Sequence, residues 1–209
     1  MKEEARIRVL TIDDHPLVRE GIAALINNQE DMRLVAEAAS GKEAIQRFRE
    51  HQPDVALMDV RLPDMSGIDA MITIRSEFPD ARIIIVTSSE GDAEMRRALQ
   101  GGAHGYMLKS MPPKDLLEAV RKVHAGKKSI PQEIAARLAD HYSEETLTER
   151  EIEILQQIAE GNGNRDIADK LFISEGTVKV HVKHIMEKLG ANDRTQAITI
   201  AVRRGIIHL

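Results

Sequence analysis

No cysteine and no tryptophan occur among the 209 residues, and three Phe and two Tyr are the only aromatics. Without thiols there can be no disulfide, zinc finger, iron–sulfur cluster or cysteine nucleophile. So few aromatic rings leave little for base-stacking platforms or carbohydrate sites. The cores must be built from Ile, Leu, Val, Ala and Met. No apolar run approaches the roughly 18 residues of a membrane span. The start, Met1-Lys2-Glu3-Glu4-Ala5-Arg6, is mixed in charge and leads into a strand-like run, unlike a secretory leader. A soluble cytoplasmic protein with no membrane partner is the expectation. Hydrophobic residues at 42% and charged residues at 30% are ordinary for a globular chain, and the length suits one large domain or two small ones.

The net charge of −5 hides an asymmetry. Nine of the 29 Lys/Arg and nine of the 34 Asp/Glu lie from Thr146 onward, so the tail is neutral and the whole excess sits before it. Total charge alone would argue against a nucleic-acid partner; the split removes that argument.

Two periodicities alternate in the first part. Short apolar runs stand at Ile7–Ile12, Leu34–Ala38, Val55–Met58, Ile83–Val86 and Gly105–Leu108. The third and fourth are continuously apolar, as strands covered on both faces are. Helical spacing fills Pro16–Asn27, Gly41–His51, Ser66–Glu77, Asp92–Gln100 and Pro113–His124; in the last, Leu116, Leu117, Val120 and Val123 mark one face. Successive β-then-α units predict an α/β fold, a doubly wound parallel sheet with right-handed crossovers. After Ala125 the pattern changes. Gly126-Lys127-Lys128 breaks the helix, Pro131–His141 reads as a connecting helix, and Tyr142–Glu145 is polar. Everything from Leu147 onward is helical, in four segments. The domain boundary falls between Gly126 and Thr146.

In such sheets chemistry gathers at the carboxyl ends of the strands. Asp13 and Asp14 close the first strand and Asp59 the third, so a 2-1-3-4-5 strand order would bring three carboxylates together. Like charges at that spacing call for a cation, and hard oxygen donors favour Mg²⁺ over zinc. Thr87 and Lys109 follow the fourth and fifth strands. A hydroxyl, an ammonium and a divalent cation around one carboxylate suit an aspartate that takes up a phosphoryl group. Taken alone, Asp14 before His15-Pro16 also reads as a helix N-cap with proline at the first helical position. The joint pattern favours the pocket.

The residues Ile12-Asp13-Asp14-His15-Pro16, Met58-Asp59-Val60-Arg61-Leu62-Pro63-Asp64-Met65-Ser66-Gly67, Val86-Thr87-Ser88 and Gly105-Tyr106-Met107-Leu108-Lys109 resemble the receiver domain of bacterial two-component response regulators. The resemblance covers Arg6 to Ala125 and implies a flavodoxin-like fold. It implies Asp59 as phosphoacceptor, Asp14 as direct Mg²⁺ ligand, Asp13 as a water-mediated one, and Arg61 as a ligand through its backbone carbonyl. Thr87 would follow the phosphoryl group, Lys109 would pair with its oxygens, and Tyr106 stands at the aromatic switch position, or is simply a tyrosine at the core edge. Many receivers carry proline directly after the lysine; here Ser110-Met111 intervene before Pro112-Pro113.

In the tail, Arg165–Leu171 and Gly176–Leu189 have helix-turn-helix spacing. Val178, Val182, Ile185 and Leu189 align as one stripe, while Lys179, Val180, Lys183 and Glu187 share the opposite face. A valine between lysines suits a major groove, where lysines reach phosphate or guanine and valine meets a thymine methyl. Thr177, with Ser174 and Glu175, stands at the helix start, a phosphate-binding position. An ordinary charged face is the alternative. His181 and His184 lack a third ligand nearby and make a poor metal site. The segments Leu147–Leu155, Asn164–Ala168 and Ser174–Val182 resemble the LuxR-type four-helix DNA-binding domain over Leu147 to Ile206. Together the halves resemble the NarL/FixJ class of response regulators. That class implies a receiver over 1–125, a linker over 126–145 and a DNA-binding domain over 146–209. Its partners would be a sensor histidine kinase, two DNA half-sites, a second copy on phosphorylation and, as the class allows, RNA polymerase. The last helix, about Arg194–Arg204, often makes dimer contacts there. Two other classes compete: an aspartate-nucleophile phosphatase of the dehalogenase type, and a scaffold that binds DNA regardless of phosphorylation. The first lacks its acidic residue two positions after Asp59, where Arg61 stands; the second is disfavoured by the complete set of acidic residues, Thr87 and Lys109. A regulator and not an enzyme is expected.

Overall fold

A computed structural model describes residues 6–88, 91–132, 135 and 147–207. They belong to two compact units, one built on a sheet and the other on helices.

In the first unit β1 (Ile7–Ile12), β2 (Met32–Ala38), β3 (Val55–Met58), β4 (Ile83–Thr87) and β5 (Gly105–Leu108) pair in the order β2-β1-β3-β4-β5. All four pairings are parallel. Between and after them run α1 (Pro16–Asn27), α2 (Gly41–His51), α3 (Gly67–Glu77), α4 (Asp92–Gln100) and α5 (Pro113–His124). This is the flavodoxin-like architecture. The runs β3 and β4 are buried at every position, because the helices cover both faces. Val9, Val55, Leu57, Ile84 and Val86 meet Val120 and Val123 of α5 in one core. Helix starts are set by side-chain oxygens: Ser40 accepts from Glu43 N at 3.2 Å and Ser66 from Ile68 N at 3.2 Å, so Ser66 precedes α3 and does not begin it.

β2 begins two residues before the apolar run that announced it. Met32 pairs with Ile7 and Arg33 with Arg8, and the two arginines break the apolar pattern. After α5, Ser129 donates to the His104 carbonyl at 2.9 Å and accepts from Tyr106 N at 3.2 Å, forming one parallel bridge along β5. The connecting helix expected over Pro131–His141 and the polar run Tyr142–Glu145 lie outside the described residues, apart from Pro131, Gln132 and Ala135.

The second unit holds α6 (Glu149–Ala159), α7 (Asn164–Leu171), α8 (Glu175–Leu189) and α9 (Arg194–Arg203). Thr148 and Glu151 form a reciprocal capping box at the start of α6. Ser174 accepts from Thr177 N at 3.0 Å, so α8 starts at Glu175. Gly190 ends α8 at φ +62°, a left-handed position that glycine adopts without a Cβ penalty. Val178, Val182, Ile185 and Leu189 are all buried against Ile154, Leu155, Ile158 and Ile167, as the stripe predicts. Among the described residues no helix is long and apolar enough to cross a membrane.

Candidate functional site

Parallel registration makes the pocket. Ile12 pairs with Met58 across β1 and β3, so Asp13 and Asp59 leave the sheet side by side. Asp59 N continues the ladder to the Ile12 carbonyl at 2.9 Å. Both carboxylates are almost sealed from solvent, Asp13 at 1% and Asp59 at 4% exposure. Thr87 ends β4 opposite Leu108, and its carbonyl accepts Lys109 N at 2.8 Å. From there Lys109 reaches past β4, placing Nζ 2.6 Å from Asp13 Oδ2 and 2.7 Å from Asp59 Oδ2. Thus the ends of β1, β3, β4 and β5 meet as the sequence pattern requires.

The electrostatics follow from burial. Loss of hydration pushes the Asp59 carboxyl up and the Asp13 charge adds to this, while the Lys109 ammonium and the Arg61 N–H oppose without cancelling it. For Lys109 burial acts downward, but its bonds to Asp13 and Asp59 outweigh it and hold the ammonium above the usual lysine range. Two enclosed carboxylates share one ammonium, so the pocket is short of positive charge.

Asp14 is exposed beside them. It does not cap α1: His15 precedes the helix without a side-chain cap bond, Pro16 takes the first helical position, and Asp13 Oδ1 accepts His15 N at 3.0 Å. His15 Nδ1 lies 2.6 Å from Asp14 Oδ1, and one donor atom each from Asp13, Asp14, His15 and Asp59 falls within 4.8 Å of the others. Arg61 lies in the loop after β3 and bridges to Ser66. Tyr106 is fully enclosed, not at a core edge.

Three residues of the pocket's frame were not singled out as functional by sequence reasoning. His15 is one. Asp64 is the second: its carboxylate accepts Gly41 N at 2.7 Å and Lys42 N at 2.9 Å at the start of α2, anchoring the loop that carries Arg61. Burial acts upward on its carboxyl, yet the Lys42 and Gly41 N–H groups outweigh that and hold it low. Gly67 is the third. A Cβ there would lie 1.8 Å from the Asp59 carbonyl oxygen, so the backbone behind the acceptor can approach only without a side chain. Serine-glycine after a loop is the visible signal for Gly67; the Asp64 contact spans 23 residues and has none.

In the second unit Thr177, Lys179, Val180 and Lys183 are exposed on α8, Val180 at 53%. The Thr177 hydroxyl is 2.8 Å from Ser174 Oγ. Lys179 pairs with Glu175 at 2.8 Å and Lys183 with Glu187 at 3.6 Å along the helix. These i,i+4 pairs are solvent-screened and weak, so a stronger anion can displace them.

Comparison with known proteins agrees with both halves. Residues 9–121 match the response regulator receiver domain, and residues 145–201 the luxR family of bacterial regulatory proteins. The uncharacterized transcriptional regulatory protein YxjL of Bacillus subtilis is 42% identical over 213 residues, spanning 97% of this chain and 98% of its own. The response regulator VraR of Staphylococcus aureus is 40% identical over 206 residues, spanning 96% and 99%. Among solved structures, the response regulator ChrA of a heme-sensing two-component system superposes with a TM-score of 0.58 at 37% identity, covering 97% of this chain and 100% of that one. RcsB of Salmonella enterica serovar Typhimurium, bound to promoter P1flhDC with the phosphomimetic BeF3−, gives 0.72 at 28%, covering 93% and 97%. By their names YxjL is a transcriptional regulatory protein and VraR a response regulator. The chain belongs to the DNA-binding response regulators of two-component systems, with a receiver domain followed by a luxR-type helix-turn-helix domain.

Proposed function

We propose that Asp59 accepts a phosphoryl group from a sensor histidine kinase, and that the phosphorylated chain dimerises on two DNA half-sites. On this reading 1–125 is the receiver, 126–145 the linker and 146–209 the DNA-binding domain. The protein works in the cytoplasm, where bacterial DNA lies. The observation that carries the reading is Lys109 Nζ held between Asp13 and Asp59 at the ends of three strands. An ionised Asp59 oxygen attacks the phosphorus of the kinase's phosphohistidine. The P–O bond forms as the P–N bond breaks, and the imidazole nitrogen leaves with the electron pair and takes up a proton. Lys109 then pairs with a phosphoryl oxygen, and the Thr87 hydroxyl donates to another. The pocket's deficit of positive charge and its oxygen donors fit Mg²⁺. Asp13, Asp14, Asp59 and the Arg61 carbonyl would hold it, and when bound it offsets the charge of carboxylate and phosphoryl oxygens.

The phosphoryl group shifts the protein only by binding its two states differently. Drawing Thr87 and Lys109 onto the phosphoryl oxygens leaves space for the enclosed ring of Tyr106 to reorient. Thr87→Ala is therefore expected to accept phosphate from a small phosphodonor but to dimerise poorly, as read by sedimentation before and after treatment. Full dimerisation of that variant would exclude this route. RcsB is known as dimers bound to DNA, which supports the same assembly here.

On DNA, α8 enters the major groove with Lys179, Val180 and Lys183 facing the duplex, and Thr177 meets phosphate at its start. If Lys183 meets phosphate, Lys183→Ala weakens all duplexes alike and lowers the salt slope by about one unit. Val180→Ala costs about 1 kcal/mol or less, confined to sites with thymine at one position. Salt titrations on specific and scrambled duplexes measure both. Unchanged affinity, slope and preference would remove α8 as the reading helix.

A further inference from the structure

Phe172 stands apart in exposure and in backbone conformation. Its side chain is 94% exposed, in a chain with only three phenylalanines. The other two, Phe48 and Phe78, pack together with ring centroids 5.4 Å apart, and Tyr106 is fully buried. Phe172 also sits at φ +54°, in the left-handed region where a bulky side chain is disfavoured and where glycine or asparagine normally ends a helix. The backbone there is pinned: Ile173 N donates to the Ala168 carbonyl at 3.0 Å, and Arg150 Nη2 to the Leu171 carbonyl at 2.8 Å. Helix termination dictates the conformation, and nothing in the packing rewards an aromatic ring in it.

The position is two residues before Ser174, which caps α8. Lys170, Ser174, Thr177 and Lys179 are exposed around it in sequence, as are Asp169 and Glu175; the lysines are held only by exposed pairs with Glu160 and Glu175, which a phosphate can displace. We infer that the Phe172 ring is an apolar contact to DNA, packing on deoxyribose carbons of the groove wall beside the entry of α8. This rests on α8 being the reading helix. Sugar carbons are the same under every base, so the contact adds affinity without sequence preference, and the ring neutralises no phosphate.

The test uses the full-length chain with Phe172→Asn, and Lys183→Ala in parallel. Asparagine tolerates the left-handed conformation, so the DNA-binding domain is expected to melt higher, by roughly 4 °C. Affinity is expected to fall roughly five- to tenfold on specific and scrambled duplexes alike, with the salt slope unchanged. The opposite signs of the two effects separate a contact from a packing role. If Phe172→Asn binds DNA like the parent while Lys183→Ala weakens it, the contact is overturned and the reading helix stands. If Lys183→Ala also binds like the parent, both fail. A lower melting temperature for Phe172→Asn would make the ring a packing element. Normal DNA binding with reduced transcription would assign it to a protein such as RNA polymerase.

Discussion

Asp59→Asn is expected to take up no acid-stable, base-labile phosphoryl group from acetyl phosphate and Mg²⁺, where the parent takes up one per chain. The amide matches the carboxylate in shape and can still accept the Lys109 bond through its oxygen, so the receiver keeps its fold. It lacks an anionic oxygen able to displace the donor's leaving group. Asp13 is equally buried and also bonded to Lys109, so it is the natural competitor. Its Oδ1, however, is tied to His15 N at 3.0 Å. Asp14→Asn should greatly weaken labelling without moving it, since on the proposed reading Asp14 would act through the cation. Mass measurement of the intact chain, with and without hydroxylamine, reads the result; undiminished labelling of Asp59→Asn would refute the assignment.

Glu151→Ala is expected to lower the melting temperature of the DNA-binding domain sharply while leaving Asp59 labelling intact. Glu151 is 3% exposed, and one carboxylate oxygen serves Thr148 N at 2.7 Å, Thr148 Oγ1 at 3.0 Å and Lys188 Nζ at 2.8 Å. Truncation removes the buried Glu151–Lys188 pair and opens the cap of α6. Breaking a buried pair from one side costs about 3–5 kcal/mol, and the low end applies because Lys188 keeps partial access to water. Against the roughly 5 kcal/mol expected of so small a domain, about 3 kcal/mol is most of the stability. Replacing both partners together, Glu151→Leu with Lys188→Met, should recover much of the loss. The same residue sets a pH limit. Burial acts upward on its carboxyl, but Lys188 and the Thr148 donors outweigh it and hold it below the ordinary glutamate range. That stabilisation is complete above the ordinary range and is lost as pH falls through the lowered value. Calorimetry of the full chain from neutral to acid pH measures both effects; a melting temperature of the domain indifferent to Glu151→Ala would show that the pair is idle.

Much of this was legible in the sequence because it depends on periodicity. Continuous apolar runs marked β3 and β4, a 3.6-residue stripe marked the buried face of α8, and residues at strand ends marked the pocket. Parallel pairing then needs only the strand order to bring Asp13, Asp59, Thr87 and Lys109 together. The start of β2 was less clear, since arginines at 8 and 33 pair across β1 and β2 and interrupt the apolar pattern. The cap role of Asp14 failed because its neighbour, His15, takes that position.

What the sequence by itself determined was the kind of each element, the strands' common direction and the chemistry at their ends, all of which follow from local spacing. Only the tertiary structure decided which distant groups share a bond: Lys109 with both aspartates, Asp64 with the start of α2, Glu151 with Lys188. It also decided that Tyr106 is enclosed, that the α8 lysines lie beside glutamates, and that Phe172 projects from a left-handed turn. Side-chain partners are set by where packed elements come to rest and by how the chain leaves a helix, and neither has a period along the sequence.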